Sequence, residues 1–182
     1  MILLYFLIRI LLTENQIGPF MLAAATSGNI QQLDSALKYI QNINFEDDLG
    51  ETALHKAAGE GHQEIVYLLL EKGAATEATN NLKHTPLHFA IMNGHIGMTE
   101  LLLWKGASAE ARNWFHNTPL HIAARSGHVS IVGILLKKGA SIDATNQSGD
   151  TPLDLATRER RIEIIQLLKD KAAEPIAHEN QT

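Results

Sequence analysis

Cysteine is absent from the 182-residue chain, which excludes disulfide bonds, a cysteine nucleophile and thiolate metal sites but leaves the cellular compartment open. Aromatic residues make up only 5% of the sequence although 45% of it is hydrophobic, so aliphatic side chains and alanine must build most of the core. The net charge is −5, and the one basic cluster, at residues 158–161, is interrupted by Glu159. Binding of nucleic acid needs a basic surface, so we expect no nucleic-acid partner.

The sequence also lacks the short motifs that accompany common catalytic sites. It contains no HExxH, P-loop, GxGxxG or GxSxG pattern. The adjacent carboxylates of Asp47 and Asp48 fall in a predicted turn, where exposure to water does not favour acid–base catalysis. We therefore expect no enzymatic activity, no bound cofactor and no bound metal.

What the chain does have is an internal repeat of constant length. Four segments follow one another at the same interval: Thr52-Ala-Leu-His55, Thr85-Pro-Leu-His88, Thr118-Pro-Leu-His121 and Thr151-Pro-Leu-Asp154. Two sets of glycines keep the same spacing: Gly61, Gly94 and Gly127, and Gly73, Gly106 and Gly139. No insertion interrupts the spacing, so the pattern predicts one continuous stack of equal units rather than separate domains.

Each unit is predicted to form two short helices. In the unit from Thr118 to Ala140, Thr118 suits a helix N-cap and Pro119 suits the first helical position. Gly139 stands where the second helix needs a left-handed residue to end. Neither helix is long enough to be stable alone, so neighbouring units must stabilise one another.

These motifs resemble those of the ankyrin repeat family, whose period of about 33 residues and T-P-L-H-x-A signature match this chain. The resemblance covers about residues 19 to 172. It implies an all-α fold, an ankyrin-repeat solenoid of about five stacked helix-turn-helix units with hairpin-like fingers. It also implies that the chain binds another protein through its concave face and its fingertips.

On this pattern we divide the chain into seven parts. They are an apolar N-terminal segment (1–18), a degenerate first repeat (19–46), repeat 2 (47–79), repeat 3 (80–112), repeat 4 (113–145), a C-terminal capping repeat (146–173) and a tail (174–182), most of which we expect to be disordered. In the first repeat Pro19, Leu22 and Ile40 replace the N-cap threonine, the histidine and the glycine. In the last repeat Asp154 replaces the histidine, and Arg160 replaces the glycine that ends the first helix. Terminal repeats are commonly atypical because one face lacks a neighbour.

The segment at residues 1–12, MILLYFLIRILL, is apolar apart from Arg9. It is too short for a transmembrane helix, which takes about 20 residues, and it lacks the basic start of a signal peptide. Three interpretations stay open: residues 2–11 form a helix that rests on the first repeat, the segment serves membrane contact or export, or the start of the chain is misassigned. We expect a cytoplasmic protein, with a membrane-associated or exported one as the alternative.

Six of the nine histidines occupy two positions of the repeat. They are His55, His88 and His121 in the motif, and His62, His95 and His128 after the glycine that ends the first helix. In the family that the chain resembles, the motif histidine makes structural hydrogen bonds between neighbouring units, and packing explains the second set equally well. His84 and His88 are four residues apart, but His84 precedes the predicted helix, so the pair does not predict a metal site.

Packing fixes the framework positions of a repeat stack, so information about a partner lies at the variable positions of the fingers and first helices. Trp114 and Phe115 stand out, because fingertips in the family usually carry polar residues and each aromatic side chain can bury about 150–250 Å². The predicted partner-binding residues are Leu82, His84, Met92, Asn93, Trp114, Phe115, His116 and Arg125. Trp, Arg and Met are enriched at protein interfaces. The alternative is that one of the two rings folds onto the neighbouring finger as part of the core.

The turn position of the fingers differs between the outer and the middle repeats. Gly50 and Gly149 occupy it in repeats 2 and 5, whereas Lys83 and His116 replace the glycine in repeats 3 and 4. If φ is positive at this position, a side chain there costs roughly 1–2 kcal/mol. Either the side chain is needed, or the loop relaxes to another turn.

The sequence therefore predicts a non-enzymatic, monomeric module that binds a protein partner of unknown identity. Two alternatives belong to other classes. One is a membrane- or envelope-tethered ankyrin protein anchored by residues 1–12, and the other is an inhibitor or regulatory subunit of an enzyme.

Overall fold

The computed structural model describes residues 14 to 174, and every regular element in that range is an α-helix. In chain order the helices are α1 (Glu14–Ser27), α2 (Ile30–Leu37), α3 (Ala53–Glu60), α4 (Gln63–Glu71), α5 (Pro86–Met92), α6 (Ile96–Trp104), α7 (Pro119–Ser126), α8 (Val129–Lys137), α9 (Pro152–Arg158) and α10 (Ile162–Ala173). The helix expected over residues 2–11 and the tail expected after residue 174 lie outside the described residues.

The helices pair into five units, each with an inner helix followed by an outer helix. The inner helices α3, α5, α7 and α9 begin at one constant interval along the chain, and the outer helices α4, α6, α8 and α10 begin at the same interval. The loop from each outer helix to the next inner helix forms a finger. The predicted all-α solenoid of five helix pairs is confirmed, and no strand occurs between residues 14 and 174, even in the fingers.

Each inner helix from α3 onward begins with the same capping arrangement. The threonine before the helix has an extended backbone, and the side chain at the third helical position accepts a hydrogen bond from its backbone N–H. That side chain is His55, His88 or His121 in the middle units, with Nδ1 3.0–3.2 Å from the threonine nitrogen. In the last unit a carboxylate oxygen of Asp154 accepts the same bond at 2.9 Å. The T-P-L-H motif is therefore a helix start.

The other ring nitrogen of the motif histidine reaches into the next repeat. Because Nδ1 accepts a hydrogen bond, Nε2 carries the ring proton. The Nε2–H group donates a hydrogen bond to a backbone carbonyl in the finger of the next repeat. This bond joins His55 to the carbonyl of His84 and His121 to the carbonyl of Asp150, both at 3.0 Å. The Nε2 of His88 has no partner of regular hydrogen-bond geometry, although the Asn117 carbonyl still favours protonation of its ring. His55 and His121 thus tie the helix starts of repeats 2 and 4 to the next finger.

A second contact between repeats lies at the other end of each inner helix. Gly61, Gly94 and Gly127 have φ between 72° and 88°, which ends the helix at little conformational cost. A Cβ atom on any of them would approach a side chain of the next repeat to within 2.8–3.1 Å. That side chain is His95, His128 or Arg161, the residue that precedes an outer helix. Glycine is therefore needed at these positions both for the turn and to leave room for the neighbouring repeat.

The core runs along the stack between the two layers of helices. The inner helices contribute mainly alanine, including the fully buried Ala57, Ala90 and Ala123, whereas the outer helices contribute larger side chains such as Leu69 and Leu102. Inner helices of neighbouring repeats contact each other more extensively than outer helices do. The stack is therefore concave on the side of the inner helices, where the predicted partner would bind.

The first unit differs from the expected boundaries. Helix α1 begins at Glu14, so the division that we placed between residues 18 and 19 falls inside a helix. Pro19 lies within this helix rather than at its N-cap position. Proline is compatible with the first turn of a helix because its missing N–H has no partner there. Here the helix begins earlier, at Glu14, so Pro19 lies beyond the first turn.

For the core, we expect the Leu102→Ala variant to lose about 2–5 kcal/mol of unfolding free energy through lost burial and the remaining cavity. Leu102 is fully buried in α6, so the loss should also lower the stability of the neighbouring repeats. Thermal and urea unfolding measure it. The matched control is Leu82→Ala at a half-exposed leucine, and equal unfolding curves for the two variants would show that Leu102 is not a core residue.

The motif histidines should make stability depend on pH. Burial lowers the pKa of His55, His88 and His121, in His88 to about 4. An unfolded histidine keeps its ordinary pKa near 6.5, so the unfolded chain binds more protons than the folded chain between these values. The stability that depends on neutral His88 is fully present above about pH 6.5 and is lost as the pH falls towards 4, by up to about 1.4 kcal/mol per pH unit.

Urea unfolding between about pH 7.5 and pH 4.5 checks this expectation. The free energy of unfolding should fall with pH in that range, and the fall should be shallower in the His88→Gln variant. His116→Ala, at an exposed fingertip, is the control and should keep the slope of the wild type. An unchanged slope in His88→Gln would show that protonation of His88 does not oppose folding.

Candidate partner-binding surface

The fingers are shaped by one side chain at the start of each turn. The side-chain oxygen of Asp47, Asn80, Asn113 or Asn146 accepts hydrogen bonds from the backbone N–H groups two and four residues later, at 2.9–3.0 Å. Asx side chains commonly stabilise turns in this way. The local sequence thus defines the same turn in four successive fingers.

Neighbouring fingers are joined by one backbone hydrogen bond each. The N–H groups of Asn81, Trp114 and Gln147 donate to a carbonyl of the preceding finger at 2.9–3.0 Å. The accepting carbonyls belong to Leu49, Leu82 and Phe115. Side chains add to this link, since the Asn146 amide donates to Asn117 Oδ1 at 2.9 Å. The fingertips therefore form one connected row.

The turn position of each finger has positive φ, as the sequence suggested. Gly50 and Gly149 have φ of 75° and 80°, and Lys83 and His116 have φ of 56° and 58°. The loops of the middle repeats have not relaxed to another turn. Lys83 and His116 therefore keep a left-handed backbone that glycine adopts at lower cost.

Both aromatic side chains of the third finger, the one in repeat 4, are exposed to solvent. Trp114 is 55% exposed and Phe115 is 50% exposed, so neither ring has folded away into the core. The Nζ of Lys83 lies 5.5 Å from the centre of the Trp114 ring, within the range of a cation–π contact. The left-handed Lys83 thus places its ammonium group beside the tryptophan of the next finger.

Three fingers in succession carry an exposed apolar side chain at the same position. Leu49 is 59% exposed, Leu82 is 48% exposed and Phe115 is 50% exposed, and each lies one repeat length from the next. We call these three residues the tip row. The sequence prediction included Leu82 and Phe115 but omitted Leu49. Leu49 could have been predicted from its position in the repeat, which is equivalent to that of Leu82 and Phe115.

His84 is the predicted site residue with the clearest structural role. It is half-buried at the base of the second finger, the one in repeat 3, where its Nε2 accepts a hydrogen bond from the Asn113 amide at 3.0 Å. Its ring also lies at 5.6 Å from the His88 ring and at 6.2 Å from the Phe89 ring, in edge-on geometry. Burial lowers the pKa of His84, and the positive charge of Arg125 adds to the effect. We therefore treat His84 as support for the surface.

The remaining predicted residues lie along the inner helices. Met92 is half-buried at the last position of α5, and Asn93 follows it with its amide bonded to the Phe89 carbonyl at 3.2 Å. The side chain of Arg125 is exposed near the end of α7, while its carbonyl accepts a bond from Arg161. Helix α5 has seven residues and so is about 10 Å long. Met92 and Asn93 therefore lie about one helix length from the fingers.

The outer side of the stack exposes a second tryptophan. Trp104 is 70% exposed on α6, and the Nζ of Lys105 lies 4.9 Å from its ring and 4.5 Å from the ring of Tyr67. The same Nζ lies 2.6 Å from a carboxylate oxygen of Glu71. The sequence analysis missed this residue. Its signal was that Trp104 stands where Glu71 and Lys137 stand in the neighbouring repeats.

Residues 14–174 contain neither a side-chain cluster suited to a metal ion nor a helix suited to crossing a membrane. No cluster of three or more His, Asp or Glu side chains in that range could hold a metal ion. None of the helices described there is both long and apolar enough to cross a bilayer.

Comparison with known proteins agrees with the repeat architecture. A family model described as ankyrin repeats (3 copies) matches residues 20–113 and 106–178, which together make up most of the chain. The chain belongs to the ankyrin repeat family. Modules of this family bind other proteins, so the structure is that of a protein-interaction module.

Two curated proteins are similar to parts of this ankyrin repeat protein. A stretch of 52 residues is 45% identical to the 60 kDa lysophospholipase of Mus musculus, covering 29% of this chain and 9% of that protein. A stretch of 58 residues is 39% identical to Protein phosphatase 1 regulatory subunit 27 of Homo sapiens, covering 32% of this chain and 38% of that protein. The chain thus matches well under two thirds of either relative.

Proposed function

We propose that this chain is a non-enzymatic module that binds a protein partner with its fingertips and the adjoining concave face. The observation that carries the proposal is the tip row together with Trp114. These four side chains are apolar and between 48% and 59% exposed, and they lie on three fingers that are bonded to one another. Apolar groups held in a rigid row lose little conformational entropy when a partner binds.

The charges around the tip row indicate what the partner surface carries. The carboxylates of Asp47 and Glu51 both pair with Lys56, and Asp150 pairs with Arg158 at 2.6 Å. In the described part of the chain, Lys83 and Arg125 have no carboxylate within ion-pair distance. The proposed partner therefore presents apolar side chains flanked by carboxylates, although this chain is itself acidic overall.

A regulatory subunit or inhibitor of an enzyme is the second candidate. The name of one relative, Protein phosphatase 1 regulatory subunit 27, supports this class, but the match covers only 38% of that protein. The same surface would then act by covering part of the enzyme. A change in the rate of a copurifying enzyme would separate this function from that of a plain scaffold. Monomeric state and cytoplasmic location remain part of the proposal.

The Trp114→Ala variant should weaken partner binding by about 2 kcal/mol or more, the usual threshold for a hot spot. Its thermal stability should hardly change, because the ring is 55% exposed. Calorimetry or surface plasmon resonance with the captured partner measures the first effect, and a thermal melt measures the second.

Two variants serve as controls for this measurement. Trp104→Ala removes a tryptophan that is even more exposed, but on the outer side of the stack, and Lys137→Ala removes an exposed charge from α8. Both should bind like the wild type. If Trp104→Ala loses binding and Trp114→Ala does not, the partner binds the outer helices, and failure of Trp114→Ala to fold would show that its ring belongs to the core.

The left-handed residues offer a second test of the surface. Lys83→Gly should stabilise the fold by about 1 kcal/mol, because glycine adopts positive φ without steric cost. It should at the same time weaken partner binding, because it removes the ammonium group beside Trp114. A gain in stability together with a loss of binding is expected when a strained backbone conformation is retained because its side chain is needed in a binding site.

Arg160→Gly is the matched control for this prediction. Arg160 also has positive φ, 55°, but it lies in the last repeat, where the equivalent residues of other repeats are glycines. This variant should gain similar stability and keep full binding. If Lys83→Gly is stabilised and binds normally, the lysine is not needed at the surface, and its strain has no connection with the partner.

A further inference from the structure

The outer helices leave a groove along the second repeat. It has a volume of about 540 Å³ and follows one stripe of α4, on which Gln63, Tyr67 and Glu71 lie about one helical turn apart. Ile30 lines it from the side of α2, and Leu101 lines it from α6. Outer helices of neighbouring repeats contact each other less extensively than inner helices do, which leaves room for the groove. It therefore lies on the side of the stack away from the concave face.

The floor of the groove is apolar and partly open to water. Leu68 and Leu101 pack against the core but stay half-buried, and Tyr67 is 49% exposed. The outward stripe of a surface helix is ordinarily charged or polar. A groove with an apolar floor is the kind of surface into which an amphipathic helix of a partner lays its apolar face.

The spacing of α4 and α6 is fixed at both ends of the groove. At one end the Nζ of Lys105 lies 2.6 Å from a carboxylate oxygen of Glu71 and 4.5 Å from the centre of the Tyr67 ring. At the other end Gly97 leaves space for Gln63, because a Cβ atom on this glycine would overlap the Gln63 amide nitrogen. The groove is therefore formed in the free chain, which lowers the conformational cost of binding.

The charge in the groove is negative. Its lining includes the carboxylates of Glu64 and Glu71, and no lysine or arginine of the described part of the chain lines it. Glu71 has a lysine partner, whereas Glu64 has no cation within ion-pair distance among the described residues. This is the reverse of the fingertip surface, where Lys83 and Arg125 are the unpaired charges. An occupant of the groove therefore gains from cationic groups beside its apolar side chains.

We propose that this groove binds a short basic amphipathic helix of a second protein. Apolar side chains of that helix contact Leu68 and Leu101, and its lysine or arginine side chains pair with Glu64 and lie against the exposed face of Tyr67. Helix α4 has nine residues and is about 14 Å long, which matches about two and a half turns of the occupant. The inference goes beyond the fingertip surface, because it concerns another side of the stack and a partner of opposite charge.

Two synthetic helical peptides test the proposal with the full chain. One peptide carries leucine on one face and lysine on the other, and the second has glutamate in place of every lysine. Fluorescence anisotropy should show saturable binding of the lysine peptide and about tenfold weaker binding of the glutamate peptide, because like charges then meet in the groove. Equal binding of the two peptides, or binding of neither, would overturn the proposal.

The Glu64→Gln variant should weaken binding of the lysine peptide about two- to fivefold, the effect of losing one exposed ion pair. The matched control is Glu163→Gln, which makes the same change of charge at the equivalent exposed position of the last repeat. This control should bind like the wild type. Equal weakening in both variants would show that the peptide responds only to the net charge of the chain, and the groove would then not be its site.

The Tyr67→Ala variant separates the groove from the fingertips. It should weaken binding of the lysine peptide about tenfold, whereas Trp114→Ala should leave that binding unchanged. For the fingertip partner the two effects are reversed, so failure of one proposal is distinguishable from failure of the other. A thermal melt checks that Tyr67→Ala is folded, and if it is not, Glu64→Gln still decides the question.

Sedimentation velocity tests whether a second copy of the chain occupies the groove instead. The wild type and Tyr67→Ala should sediment alike, as monomers. A wild-type dimer that dissociates on this substitution would assign the groove to a second copy and overturn the proposal.

Discussion

Neutral histidines inside the stack join the helix starts of repeats 2 and 4 to the next finger. His55 and His121 bond at both ring nitrogens, accepting from the backbone of their own repeat and donating to a carbonyl of the following one. These bonds fix both the orientation of the inner helix and the position of the neighbouring finger relative to it. The glycines at the other end of the inner helices let the neighbouring repeat approach closely. The fingertips can form a row because the glycine contact recurs in every middle repeat and the histidine bond in two of them.

The row is assembled from elements that are individually simple. An Asx side chain shapes each turn, and one backbone hydrogen bond links each turn to the next. On this common frame, the middle repeats have exchanged the glycine of the turn for Lys83 and His116 and carry exposed apolar groups beside them. The residues proposed for recognition therefore differ from those that shape the finger, so the proposed surface can be tested without unfolding the stack.

Much of the fold could be predicted from the sequence, because helix starts, helix ends and repeat length depend on local chemistry. Threonine caps, proline at the first helical position and glycine at the helix end all recur at one interval. The positive φ of Lys83 could be predicted for the same reason, by comparison with Gly50. Side-chain environment was harder to predict. His84 looked like a variable surface residue, but its ring bonds to Asn113 of the next repeat, a contact that depends on how the repeats stack. Trp104, which is 70% exposed, was missed because only the fingers and the first helices were searched for partner-binding residues.

The backbone hydrogen bond between neighbouring fingertips has a consequence for how such a protein changes over time. The carbonyl of Leu82 and the N–H of Trp114 belong to the backbone, so the bond tolerates almost any side chain at either position. The helices below are held by the histidines and glycines, which sequence changes at the tips do not touch. Substitutions can therefore accumulate in one finger at a time, while the neighbouring fingers hold the backbone of that finger in place. The proposed binding surface can therefore change its side chains in steps of one repeat, with little loss of folding at each step.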